Sequence, residues 1–242
     1  MLETHLDIDT PGGAMNTFIT CPDENGPHPV VLFLMDAPGK REELHDMARR
    51  IATAGYYVML PNLYYRRTRE FVIDGTPSSR TVMFEHMNSL SNAMVVDDCR
   101  ALLAYADRDR HARGGHCGVV GYCMSGSFVF AAAAQLADRV RASASIHGVR
   151  LMTEAVDSPH LAANQIKGEI YFGCAETDDW APPAMIEALD NYLDSTGIQY
   201  RIEWYPGTHH GFVFPQRGAI YDKPSAERHW ERLLSLFKRN LT

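Results

Sequence analysis

No stretch of this chain stays apolar for the roughly 18–20 residues that a bilayer crossing needs. The N-terminal MLETHLDIDT carries acids and lacks the apolar segment of a secretory signal, so a cytoplasmic protein that engages no membrane is expected. Positive charge is in deficit, with 23 Lys+Arg against 30 Asp+Glu and a formal charge of −7, which argues against general affinity for nucleic acid. Cysteine is sparse. Cys21, Cys99, Cys117, Cys123 and Cys174 are odd in number, dispersed, and show neither CxxC nor Cys/His metal spacing, which points away from a disulfide framework or a metal centre. Internal repeats, low-complexity tracts and linker-like segments are also missing, so one domain over residues 1–242 is expected.

What is present is an alternation of strands and helices. Leu6 and Ile8 alternate with polar residues, Pro11-Gly12-Gly13 turns the chain, and Met15, Thr17 and Ile19 alternate again, which predicts an N-terminal antiparallel hairpin. PVVLFLM is apolar throughout, as a strand covered on both faces would be. Leu44, Met47, Ala48 and Ile51 follow helical spacing, and YYVMLP reads as the next strand. A long helical pattern containing Cys99, Leu102 and Leu103 leads to the strand CGVV. Strands ASASIHG, EIYFG and IQYRIEWY follow, interleaved with helical stripes such as Met185, Ile186, Leu189 and Leu193. This order predicts an α/β fold, a mostly parallel sheet with helices on both faces.

In such sheets chemistry gathers where strands end at their carboxyl edge. Gly121-Tyr122-Cys123-Met124-Ser125-Gly126 has the form of a strand-to-helix turn that presents a nucleophile, with small residues two places either side of Cys123. A helix N-terminus there favours the thiolate. The other four cysteines lack such a turn and are expected to be packing residues. The exit EIYFGCAETDDWAPP offers Glu176, Asp178 and Asp179 as a carboxylate to orient a base. The exit WYPGTHHGFVFP offers His209 and His210 as that base. The chain order nucleophile, acid, histidine is that of α/β-hydrolases.

These segments resemble the dienelactone hydrolase family of the α/β-hydrolase fold, over nearly the whole chain. GYCMSG resembles its G-x-C-x-G-G elbow, with Ser125 in place of the usual glycine, and LPNLYYR resembles its P-[D/N]-L-Y segment. AETDDWAPP is similar to the family's acid motif, which implies Asp178 over Asp179, and HHGF to its H-G-F segment, which implies His210 over His209. In FLMDAPGKR the resemblance implies that Asp36 is an acid close to the resting cysteine and that Ala37 supplies an oxyanion-hole N–H. Asp36 could instead cap the following helix. Among arginines that would bind an anionic substrate, Arg80 is the nearest match, with Arg41 and Arg66 as further candidates; Phe214 stands where the family has another arginine. Met35, Tyr122, Trp180, Phe212 and Phe214 are expected to form an apolar, aromatic substrate pocket, unless they are core.

The expected reaction is hydrolysis of a small-molecule ester or lactone by Cys123, His210 and Asp178, with Met124 and Ala37 binding the oxyanion through backbone N–H groups. It needs no metal or organic cofactor. A monomer or homodimer is expected. Three other readings compete: a broad-specificity carboxylesterase or hydrolase of other activated acyl or phosphoryl esters with the same triad, a non-catalytic ligand-binding protein on the same scaffold, and a redox protein pairing Cys123 with Cys117. An extended strand would hold those two sulfurs too far apart for a disulfide.

Overall fold

A computed structural model describes residues 1–241. One eight-stranded sheet runs through it in the order β1-β2-β4-β3-β5-β6-β7-β8. The expected hairpin is β1 (Leu2–Thr10) and β2 (Gly13–Cys21), paired antiparallel from Leu2↔Cys21 to Thr10↔Gly13. It joins the sheet through β2 against β4 (Tyr57–Pro61), also antiparallel. From β4 onward every pairing is parallel: β3 (His28–Leu34), β5 (Ala112–Tyr122), β6 (Val140–Ile146), β7 (Glu169–Thr177) and β8 (Gln199–His209). All residues of β3 and β4 are buried, which is why, His28 at the start of β3 apart, their sequences are apolar runs. On β8, at the sheet edge, burial does not follow composition: Glu203 is buried, held by arginines, while Tyr200, Ile202 and Trp204 are only partly covered.

The helices are α1 (Glu42–Thr53), α2 (Pro77–Asn88), α3 (Asn92–Ala106), α4 (Ser125–Gln135), α5 (Pro183–Asp194) and α6 (Lys223–Leu241). The helical pattern before β5 is thus two helices rather than one. Ser91 marks the new start, its hydroxyl accepting from the Met94 N–H at 3.2 Å. Two glycines of β5 reveal that both faces are covered. A Cβ at Gly118 would lie 2.9 Å from Phe237 of α6, and one at Gly121 would lie 2.7 Å from Val129 of α4. Positions three apart on a strand point to opposite faces, so α6 and α4 sit on opposite sides of the sheet. α1 shares the α6 side, through the Arg50–Glu227 ion pair and the Arg50 guanidinium 4.7 Å over the Trp230 ring. No helix among the described residues is long and apolar enough to cross a membrane.

Candidate active site

β5 ends at Tyr122 and α4 begins at Ser125, so the chain must reverse within two residues. Cys123 does this with φ of 54°, in the left-handed region that non-glycine residues rarely enter. The turn is clamped to the exit of β6. The Cys123 N–H donates to the Ile146 carbonyl at 3.1 Å, and the Cys123 carbonyl accepts from Gly126 and Val149, both at 3.0 Å. Behind the sulfur lie the unpaired N–H groups of the α4 N-terminus, which favour negative charge there. Cys123 is partly exposed, whereas the other four cysteines are buried, and all five are free thiols. Burial pushes the Cys117 and Cys174 thiols up to about 12 and raises Cys21 and Cys99 as well.

β7 and β8 bring the acid and the imidazole together by register. Thr177 pairs with His209, so the next residue on each strand, Asp178 and His210, leaves the sheet side by side. His210 Nδ1 lies 2.7 Å from Asp178 Oδ2. The other carboxylate oxygen accepts from the Trp180 and Ala181 N–H groups at 2.9 and 3.1 Å, which fixes its orientation. Burial depresses the His210 pKa, but hydrogen bonds and charge at Asp178 and Cys123 outweigh it and lift the imidazole to about 9. With Nδ1 held by Asp178, Nε2 is the nitrogen left to meet the sulfur. The neighbouring candidates Glu176, Asp179 and His209 are exposed.

Met124 and Ala37, expected at the oxyanion, are buried, and their backbone N–H groups meet no acceptor among the described residues. Two hydroxyls hold these donors in place. Ser125 donates to the Met35 carbonyl, tying the α4 entrance to the end of β3. Tyr64 donates to the Ala37 carbonyl at 2.8 Å and lies 3.3 Å from the Met124 sulfur, bridging the two sides. Tyr64 was legible only as a member of LPNLYYR, with nothing in the sequence to reveal its reach.

A cavity of about 370 Å³ opens above Cys123 and His210. One wall is a stripe of α2, Arg80, Met83, Phe84 and Met87, at helical spacing. Trp180 stands half-exposed at the mouth with its ring 5.7 Å from Phe84. Arg80 lines the cavity as expected, and its guanidinium has no ion-pair partner among the described residues. Arg217, absent from the sequence-based expectations, is a second lining guanidinium. Among the described residues, no carboxylate lines this cavity.

Several expected positions are corrected. Tyr122, Phe212 and Phe214 do not line the cavity; all three are buried and pack on His147, Tyr122 and Phe214 also on each other. Tyr122 sits on the α6 side, its hydroxyl 3.1 Å from His229. Met35 is likewise buried. Asp36 does not cap α1, whose N-cap is Arg41. Its buried carboxylate is held by the Arg41 guanidinium and by Arg217 Nη2 at 3.3 Å. Arg41 therefore belongs to this ion cluster, and Arg66 is paired with Asp98 at 2.7 Å; neither lines the cavity.

A parallel sheet of this order, with a left-handed cysteine elbow and an Asp–His pair at its carboxyl edge, defines an α/β-hydrolase-fold enzyme of the kind that cleaves carboxylic ester and lactone bonds. The dienelactone hydrolase family profile matches residues 15–241, and the chain belongs to that family. It is 27% identical to a Synechocystis sp. protein provisionally assigned as a carboxymethylenebutenolidase, over 93% of this chain and 97% of the relative. It is 24% identical to the carboxymethylenebutenolidase of Rhodococcus opacus, over 98% and 93% of the two chains. A crystal structure from Klebsiella pneumoniae, provisionally assigned as a dienelactone hydrolase, superimposes with a TM-score of 0.89 at 23% identity, covering 98% of each chain.

Proposed function

We propose that this enzyme hydrolyses a lactone or small ester carrying an anionic group, through a thioester on Cys123. The thiol proton passes to His210 Nε2, Cys123 Sγ attacks the carbonyl carbon as the thiolate, and Asp178 holds the imidazolium. The N–H groups of Met124 and Ala37 receive the oxyanion; one such donor is worth on the order of 3 kcal/mol in transition-state energy. Collapse of the intermediate breaks the C–O bond, and the alkoxide leaves with the proton from His210. Water, deprotonated by His210, then attacks the thioester, releasing the carboxylic acid and restoring the thiol. The observation that carries this reading is the 2.7 Å Asp178–His210 contact beside a partly exposed cysteine with φ of 54°.

The anionic group is argued from the cavity wall. Arg80 and Arg217 line it with no carboxylate among the lining residues, so a substrate anion would meet two cations in a partly dry site. A thiolate leaves a tetrahedral intermediate more readily than an amine does, so anilides should be cleaved far more slowly than esters. Mass spectrometry after mixing with p-nitrophenyl acetate should find one acyl adduct on Cys123, absent in Cys123→Ala. An adduct-free wild type that still turns over would sink the thioester route. Arg80→Met or Arg217→Met should each raise KM for an anionic ester by about tenfold or more while leaving a neutral ester of the same size unaffected.

A further inference from the structure

β6 ends at Ile146, and the next residue, His147, has φ of 38°. Its N–H donates to the Gly173 carbonyl at 2.7 Å, which locks the turn onto β7. The side chain is 1% exposed, and neither ring nitrogen has a hydrogen-bond partner. Its ring meets that of His210 edge to face, with centroids 4.8 Å apart and planes at 66°. Phe214 closes the box behind it at 5.5 Å.

An imidazole buried without partners is unusual, since buried polar atoms in proteins are nearly always bonded. Phenylalanine would fill the same box with no polar atom to strand. It is poorly suited to a left-handed backbone, however, whereas histidine and asparagine enter that region several-fold more often than most residues. Asparagine supplies the turn but no ring. Histidine supplies both. The residue type at 147 is therefore explained if a ring is needed against His210 at a place where the chain turns left-handed.

We propose that His147 is a positioning residue, whose ring fixes the plane of the His210 imidazole between Asp178 and Cys123. This rests on His210 acting as the base in the reaction proposed above. The charged and titratable groups around His210 are Asp178 beyond β7, Cys123 at the elbow, His147 beyond β6 and Arg217 beyond β8. His147 itself faces His210, Arg217, Tyr122 and His229. Removing its ring opens space beside His210 and admits water there.

The test compares His147→Asn and His147→Phe with wild type, using p-nitrophenyl acetate across the pH range, with thermal melts to verify folding. His147→Asn should keep KM within about twofold and lose about tenfold or more in kcat, because a base displaced by a fraction of an ångström transfers protons poorly. Its acidic limb, set by the imidazole that must be neutral to deprotonate water, should move to higher pH, since burial is what holds the imidazole's affinity for protons down. His147→Phe should recover most of the kcat with the limb in its wild-type place. Wild-type kcat and pH profile in His147→Asn would overturn the proposal, as would a folded His147→Phe as impaired as the asparagine variant. Should the asparagine variant fail to fold, the phenylalanine variant decides alone. His210→Gln and Cys123→Ser are assayed alongside. Full activity in either defeats the base assignment itself, an outcome distinct from failure of the His147 variants.

Discussion

The Asp178 carboxylate is committed to three N–H groups, two from the backbone at Trp180 and Ala181 and one from His210. An amide in its place has one acceptor oxygen for those three donors. Asp178→Asn should therefore keep the fold and lower kcat by on the order of 10³–10⁴, because the imidazole loses its tautomer and its counter-charge. Tyr64 makes a gentler case. Its hydroxyl joins Ala37 to Met124, so Tyr64→Phe releases one side of the oxyanion pair from the other. We expect a drop of about three- to tenfold in kcat, an unchanged KM, and about 1 kcal/mol less stability by denaturant titration. At this scale the sequence was a partial guide. Cys123, Asp178 and His210 were legible because each follows a strand end, and order along the chain survives folding. Tyr122 misled because it adjoins Cys123 in sequence, while the period-two alternation of a strand sends neighbours to opposite faces.

Where elements meet, a narrow passage lies between the start of α4 and the turn after β6. A Cβ on Gly126 would stand 2.3 Å from Cα of Gly148, backbone against backbone, with no flexible side chain to give way. Gly126→Ala should cost about 1–3 kcal/mol or more in stability. It should also reduce activity more than that loss explains, because both neighbours of the gap, Cys123 and His147, shift with it; a melt paired with kcat measured well below the melting temperature checks both. The α2 wall of the cavity was hidden for a different reason. Arg80, Met83, Phe84 and Met87 do form a stripe, but helical spacing of apolar residues says only that a face is covered, not whether core or substrate covers it. Arg217 had no signal to offer. It sits in the short 3₁₀ segment Pro215–Ile220, where no periodicity exists, and reaches the cavity only because Asp36, far away in sequence, anchors it.

Taken as a whole, the molecule carries a formal charge of −7 while its cavity presents two arginines and no acid. Salt should therefore act on anionic and neutral substrates differently. Between about 20 and 500 mM NaCl, KM for an anionic ester should rise several-fold while that for a neutral one stays level. Proton linkage gives a second property of the whole chain. The His210 pKa of about 9 lies above that of a free imidazole, so the protonated side chain favours the folded state. That contribution is complete below about pH 6.5 and is lost as the pH rises through about 9. The wild-type melting temperature should fall across this window, and His210→Gln should flatten the fall. The overall architecture was the most legible feature of all, because from Pro29 to Leu34 in β3 and throughout β4 the covered positions carry apolar or aromatic residues.

On the proposed mechanism, the left-handed backbone at Cys123 means that the hardiest version of this enzyme is not its working version. Glycine there would relax the turn and remove the sulfur in one change. Directed evolution that rewards heat resistance alone would thus drift toward silent variants, and only a screen that also demands product would keep the cysteine in place.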